Sequence, residues 1–294
     1  QTCALPICMQ TEAPTNSLER GLAILRLIGS KRGGLTNGEI SRELGIPKST
    51  CSYILSRLGR EGYVSKQSNT GRFRIGLKTL TLAHDALREV GFHSVAESAL
   101  YRLAEETGLA AVLAALDGDR CLTIDRVESP EFMKDFAERG RSLWTYYPPR
   151  ELRSVGAEFP VHATSFGRVL LAYLPRPELV AILDRIPLPR MTPYTVVSKK
   201  ELLAELDRVR ELGYSIVDRQ SHEDTLAVAA PIFGPEVAVR AAVAVGGSRS
   251  LAVWDDTPRI VRLLKQAAAE ISKRLSRPLQ LESEEAFAAQ PAKT

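Results

Sequence analysis

Residues 35–76 read LTNGEISRELGIPKSTCSYILSRLGREGYVSKQSNTGRFRIG, and this stretch decides the fold. Thr36 and Glu39 have capping-box spacing, so the hydroxyl can accept from one free backbone N–H while the glutamate reaches back to another. Ile40 and Leu44 then lie one helical turn apart on a single apolar face. Gly45-Ile46-Pro47 ends that helix, since glycine supplies a permissive cap and proline suits the first turn of the next one. A second helix is expected from about Lys48 to Gly62, with Ile54, Leu55 and Leu58 facing inward. Its front shows Lys48, Ser49, Thr50 and Ser52, with Tyr53 and Arg57 further on. Short polar donors there are what the reading of base edges in a major groove requires.

A wing follows. Tyr63-Val64 makes a short strand, Ser68-Asn69-Thr70-Gly71 a turn, and Arg72-Phe73-Arg74-Ile75 a returning strand. Alternation puts Arg72 and Arg74 on one side, toward phosphate, and Phe73 and Ile75 on the packed side. From Leu18 to Lys78 there are 12 basic and 4 acidic residues, a net +8, while the whole chain carries +4. The remainder is therefore near −4, and this asymmetry is the electrostatic footprint of a nucleic-acid module. The expected DNA-contacting set is Arg20, Thr36, Lys48, Ser49, Thr50, Ser52, Tyr53, Arg57, Arg72 and Arg74.

At these residues the chain resembles the IclR family of bacterial transcriptional regulators. The resemblance rests on Ser17-Leu18-Glu19-Arg20-Gly21-Leu22, on Gly45-Ile46-Pro47-Lys48-Ser49-Thr50, on Leu55 through Val64 and on Gly71 through Gly76. It resumes at His162-Ala163-Thr164 through Ala172 and at Gly213-Tyr214 through Pro231, and spans about Ser17 to Leu275. It implies an α+β chain: an N-terminal winged helix-turn-helix, a linker helix and a C-terminal GAF-like effector-binding domain. The implied partners are a double-stranded DNA operator, a small organic or aromatic acid as effector, and further copies of the chain in a homodimer or homotetramer. No cofactor, membrane contact or enzymatic activity is expected, and the expected location is cytoplasmic.

Composition agrees. At 294 residues the chain holds one large or two ordinary domains, and 44% hydrophobic content allows a real core. No apolar run reaches the ~18 residues of a membrane span. Residues 1–8 read as a translated sequencing-library adapter, which makes Met9 the expected natural start and Cys3 and Cys8 artefacts. Cys51 and Cys121 remain, with no disulfide framework.

The breaks give the expected organisation: 1–16 a leader, 17–76 the winged helix-turn-helix, 77–92 a linker helix, 93–276 the effector domain and 277–294 a flexible tail. Ser17 is the expected cap of the first helix, with Leu18, Leu22, Leu25 and Ile28 on its buried face. Helix Ser94–Thr107 precedes a hairpin of Ala110–Leu116 and Arg120–Val127 around Asp117-Gly118-Asp119, and a short strand is read at Val155-Gly156. Helix Glu201–Leu212, strands Ser215–Asp218, Thr225–Phe233 and Val237–Val245, and helix Thr257–Leu275 complete the pattern. Helices around a mostly antiparallel sheet make this an α+β domain.

In this half, Thr164-Ser165-Phe166-Gly167 forms a small-residue turn into a helix whose exposed N–H groups can hold a carboxylate. A plain helix cap explains the same residues. By the family resemblance this turn is one wall of the effector pocket, and the expected effector site is Thr164, Ser165, Phe166, Gly167, Asp218, Gln220, Thr225, Ala227, Gly246, Gly247 and Ser248, with Phe166, Leu226 and Val245 bounding the ligand's apolar body. Asp218, Gln220, His222, Glu223 and Asp224 could be imagined around a metal, but such a loop is more often solvated, and no metal is expected. The chain departs from the family pattern at Gln220 (for glutamate), Asp224 (for glycine), Ala227 (for cysteine) and Arg168 (for lysine), and in a longer segment 131–150. An enzymatic reading finds no nucleophile elbow, metal-ligand spacing or phosphate loop. A redox reading would need Cys51, beside Lys48, or Cys121 to be reactive, against a buried apolar role for each.

Overall fold

The computed structural model describes residues 14–31, 33–90, 93–130, 155–235 and 238–276. They form two compact units, one ending at Glu89 and one beginning at Val90. The readings of residues 1–8, 131–150 and 277–294 lie outside the described residues.

In the first unit, α1 (Ser17–Ser30) is capped by Asn16, not Ser17: the Asn16 side chain accepts from the Glu19 N–H, and Glu19 reaches back to the cap backbone. Its buried residues are Ile24 and Ile28, whereas Leu18 is 73% exposed and Leu22 48%. Leu18, Leu22 and Leu25 form a second apolar stripe roughly 100° around the helix from Ile24 and Ile28. Periodicity reveals both stripes but cannot tell which one the fold buries.

Helix α2 (Asn37–Leu44) has the expected Thr36–Glu39 capping box, and Gly45 ends it in the left-handed region at φ 65°. Helix α3 (Lys48–Arg60) starts directly after Pro47 and buries Cys51, Ile54 and Leu55. Strands β1 (Val64–Lys66) and β2 (Phe73–Ile75) pair antiparallel, with Val64 opposite Ile75. Leu35 and Phe73 exchange backbone hydrogen bonds of 3.0 and 2.7 Å, tying the wing to the chain just before α2. One core joins these elements through Ile24, Ile28, Ile40, Ile54, Leu55 and Val64. Helix α4 (Lys78–Val90) carries the chain onward.

The second unit is a six-stranded antiparallel sheet with helices on both faces. In chain order it comprises α5 (His93–Thr107), β3 (Ala110–Asp117), β4 (Arg120–Val127), β5 (Glu158–Pro160), α6 (Ser165–Ala172), α7 (Arg176–Arg185), α8 (Lys199–Leu212), β6 (Ser215–Asp218), β7 (Thr225–Phe233), β8 (Val239–Ser248) and α9 (Thr257–Leu275). The strand order is β5-β4-β3-β8-β7-β6. Helices α5 and α9 pack against each other and one face, while α6, backed by α8, lies on the other. The central strands are rich in alanine, which lets α6 approach closely: Ala114, Ala229, Ala242 and Ala244 share its core with Val169, Leu170, Leu202 and Leu206.

Two local expectations are corrected. Val155 and Gly156 form a turn, with Gly156 at φ 82°, and the strand lies at Glu158–Pro160. Helix α7 has no counterpart in the sequence reading; it begins after Pro175 with a second proline in its first turn, a helix-start signal in this structure. No helix among the described residues is long and apolar enough to cross a membrane.

Candidate functional site

The first unit presents the front of α3 to solvent. Lys48, Ser49, Ser52 and Tyr53 are exposed and Thr50 is half-buried, because Cys51, Ile54 and Leu55 take the core side of the same turns. The Arg57 guanidinium sits 5.3 Å from the centre of the Tyr53 ring. Arg74 on the wing is exposed.

Three residues of the expected DNA-contacting set have other partners. Both terminal nitrogens of Arg72 donate to the Glu39 carboxylate at 3.0 and 3.1 Å, and one also donates to the Gly34 carbonyl at 2.7 Å. This fork locks the wing onto α2 and replaces the phosphate-facing position that simple strand alternation gives Arg72. Hydrogen bonds from the Thr36 N–H and hydroxyl, with Arg72 beside it, hold the Glu39 carboxyl below the usual range. Thr36 is thereby engaged in its cap, and Arg20 donates to the Pro14 carbonyl at 3.1 Å. Cys51 and Cys121, the cysteines among the described residues, offer no activated thiol. Cys51 donates to the Ile46 carbonyl at 3.7 Å, and burial raises the thiol pKa of Cys51 and Cys121, opposite to the effect imagined for Lys48.

In the second unit, the start of α6 faces a cavity of about 90 Å³. Thr164 caps the helix: its hydroxyl accepts from the Gly167 N–H at 3.2 Å and donates to the Pro160 carbonyl at 3.3 Å. The Ser165 and Phe166 N–H groups have no acceptor within the helix. Ser165 is 1% exposed, and its hydroxyl has no hydrogen-bond partner among the described residues. A buried unmet hydroxyl is costly unless something enters to pair with it.

The sheet supplies the floor through Ala110 and Val112 of β3, Ala244 and Gly246 of β8, Thr225 and Ala227 of β7 and Val217 of β6. Phe159 and Phe166 meet edge to face at 5.5 Å in the wall, and Ser221 and His222 close another side. Burial pushes the His222 imidazole below its ordinary pKa, so it is neutral at neutral pH.

The cavity brings together seven expected residues: Thr164, Ser165, Phe166, Thr225, Ala227, Gly246 and Gly247. Four others stand outside its lining. Gly167 is where α6 meets the chain before it; an added Cβ would fall on the Val161 carbonyl oxygen and within 2.6 Å of the Thr164 hydroxyl. Asp218 pairs with Arg249 at 2.9 Å, Gln220 accepts from Arg168, and the Ser248 hydroxyl donates to Asp224 at 2.7 Å. Leu226 is also absent from the lining; its neighbour Ala227 is the one that faces the cavity. Among the described residues, no group of three His, Cys, Asp or Glu side chains is placed to hold a metal ion.

Gly167→Ala should therefore destabilise this unit by about 1–3 kcal/mol through overpacking against backbone. Both tryptophans, Trp144 and Trp254, belong to this half of the chain, so urea unfolding followed by their fluorescence reads it directly. An unchanged midpoint would refute the close approach.

Arg126 was not legible in the sequence. The β3–β4 register shifts between Leu113 and Ala114, which pair with Asp125 and Thr123 and leave Ile124 as the extra residue of a bulge. Before the bulge, Cys121 and Thr123 face the α6 side, so strict alternation would send Asp125 and Val127 there. The extra residue inverts the phase, and Arg126, opposite Val112, lines the cavity instead.

Comparison with known proteins agrees with this architecture. Residues 84–273 match the model for the bacterial transcriptional regulator IclR C-terminal domain, and residues 17–68 match the IclR helix-turn-helix domain. The HTH-type transcriptional regulator XynR of Escherichia coli K12 is 29% identical over 262 residues, covering 89% of this chain and 98% of XynR. An IclR transcriptional regulator from Alicyclobacillus acidocaldarius superposes with a TM-score of 0.71 at 28% identity, covering 89% of this chain and 98% of that one. An IclR homologue from Microbacterium hydrocarbonoxydans, solved in complex with 4-hydroxybenzoate, shares the fold with a TM-score of 0.73 at 24% identity, covering 88% and 99%. With one family model spanning most of the second unit and another covering the helix-turn-helix, this chain belongs to the IclR family of bacterial transcriptional regulators.

Proposed function

We propose that the chain binds a palindromic duplex operator as a homodimer and that a small organic or aromatic acid in the α6 cavity modulates this binding. The observation that carries the reading is the buried Ser165 hydroxyl at a helix start, without a partner among the described residues and facing a largely apolar cavity in a chain that also bears a helix-turn-helix. The N–H groups and dipole of α6 suit a carboxylate, and the apolar floor suits a hydrocarbon body. The fold accommodates an aromatic acid in the Microbacterium homologue. On the DNA side, Lys48, Ser49, Thr50, Ser52 and Tyr53 read base edges or nearby phosphates, and Arg57 and Arg74 hold backbone. Two-fold symmetry sets half-sites ~34 Å or a multiple apart. Helix α4 leads the chain from the wing toward the second unit and is the proposed connection between effector and operator.

Operator affinity measured across a salt series, with and without small acids, tests the assignment. Arg74→Gln should lower the logarithmic salt slope by about 0.9 while weakening all sequences alike. Arg72→Gln should leave the slope nearly unchanged and lower the melting temperature of the first unit, because it removes the clamp on Glu39 and Gly34. A slope that responds to Arg72 but not to Arg74 would reverse the two roles, and an operator affinity indifferent to every acid would defeat the effector reading.

A further inference from the structure

We propose that His222 recognises the acid's charge: it takes up one proton from solvent as the acid enters and presents an imidazolium to it inside the cavity. This rests on the effector-cavity reading above and names the residue that tells an anion from a neutral molecule of the same shape. His222 lines the same cavity as Ser165. The turn that carries it is fixed on both sides. The Thr225 N–H donates to the His222 carbonyl at 3.1 Å, and the Thr192 and Thr195 hydroxyls donate to the Arg219 and Gln220 carbonyls at 2.6 and 2.7 Å. Among the described residues neither ring nitrogen of His222 has a hydrogen-bond partner, and both stay accessible, so the imidazole can meet a ligand.

Charge balance gives this imidazole its role. An organic acid brings a negative charge into a largely apolar cavity, which is costly unless a positive charge offsets it. The start of α6 supplies only about half a charge. Arg126, the lining residue with a fixed charge, is already committed, its Nε lying 3.1 Å from Glu128. The charges on the surrounding elements are committed too. Asp218 on β6 pairs with Arg249 at 2.9 Å, and Asp224 accepts from Ser248 at 2.7 Å. Arg168 on α6 donates to Gln220, and Arg219 stacks on the Tyr194 ring at 3.8 Å. Glu223, beside His222, is exposed. Burial alone holds the imidazole pKa below its ordinary value, so no neighbouring charge keeps a proton there before the ligand arrives. A carboxylate in the same cavity is weakly screened and favours the imidazolium. The unliganded group is therefore neutral near pH 7 and the bound one cationic. Affinity is highest at low pH and falls as pH rises from the depressed unliganded pKa to the raised bound one.

Calorimetric titration of the full chain with benzoate, butyrate and their uncharged amides, in buffers of different ionisation enthalpy, tests the proposal. Each acid that binds the wild-type chain should do so with uptake of about half to one proton at pH 7, and its affinity should fall about tenfold from pH 6 to pH 8. Benzamide and butyramide should show neither the uptake nor the slope. His222→Gln keeps a hydrogen-bonding side chain that cannot be charged. It should lose the uptake and weaken acid binding about tenfold at pH 6, yet stay within about threefold of the wild type at pH 8. His162→Gln, which alters the other histidine near α6, should keep the uptake. Acid binding without proton uptake, or uptake that survives in His222→Gln because the acid itself carries the proton, would overturn the His222 assignment while leaving an acid-binding cavity intact. If neither acid binds at millimolar concentration at pH 6, the effector-cavity reading fails and the proposal fails with it. Melting curves show whether the variants remain folded. If His222→Gln does not fold, the imidazole NMR signals of the wild-type chain decide: one of the four histidines should turn cationic when the acid is added at pH 7, and no such change would overturn the assignment.

Discussion

Ser165→Leu is expected to abolish the effector response, lowering acid affinity at least a hundredfold, about 2.7 kcal/mol, while the unliganded chain still binds its operator within about twofold. The size of the effect follows from position. Ser165 is 1% exposed, its hydroxyl faces the cavity without a partner among the described residues, and a leucine there both removes that hydroxyl and fills the space beside the α6 N–H groups. Because Ser165 lies far along the chain from the helix-turn-helix, the change alters DNA binding only through the ligand's unequal affinity for two states, a coupling of ~1–3 kcal/mol. Ser165→Ala, which removes only the hydroxyl, should cost less. Operator binding by anisotropy, alone and with saturating acid, gives both quantities, and tryptophan fluorescence separates a folding defect from a binding one. A full response with the ligand shown to sit elsewhere would sink the cavity assignment.

Arg168→Met should destabilise the second unit by about 2–4 kcal/mol, the largest single-site stability loss expected outside the apolar core. The guanidinium is 1% exposed, with its Nε donating to the His162 carbonyl at 3.0 Å and a terminal nitrogen donating to the Gln220 side chain. Removing it takes a charged donor from both acceptors, at a position that is itself 1% exposed. The remaining contact, 3.7 Å to Glu205, adds little, since that carboxylate is 34% exposed. Burial lowers the guanidinium pKa from its ordinary value, yet arginine stays charged, so the hydrogen bonds are charge-assisted. Gln220 also accepts from the Val196 N–H at 3.3 Å and directly precedes Ser221 and His222 of the cavity wall. The loss should therefore weaken acid binding as well as stability. Arg168→Lys should recover the charge but not the fork, and hence only part of the stability. A urea midpoint within experimental error of the wild type would show that the buried network carries no such weight.

The legible parts of the molecule are those whose signals are local. Thr36 and Glu39 are three residues apart, Gly45 and Pro47 punctuate adjacent helices, and the Asp117-Gly118-Asp119 turn joins two apolar runs, so capping, turn chemistry and period alone place α2, α3, β3 and β4. The same local reasoning finds the start of α6 and, with the resemblance at His162–Ala172 and Gly213–Pro231, marks one side of the cavity. What the sequence by itself determined is thus the order of most elements, α7 and the position of β5 excepted, together with the family and the helix start with a candidate anion site. Tertiary structure decided the rest, because each remaining choice depends on partners distant in sequence. Two apolar stripes run along α1, and packing against Ile40, Ile54 and Leu55 selected the one bearing Ile24 and Ile28. Arg72 meets Glu39 across 33 residues, a pairing that strand alternation cannot foresee. Arg126 faces the cavity only because pairing with β3 forces an extra residue into β4, inverting a side-chain period that is otherwise strictly two.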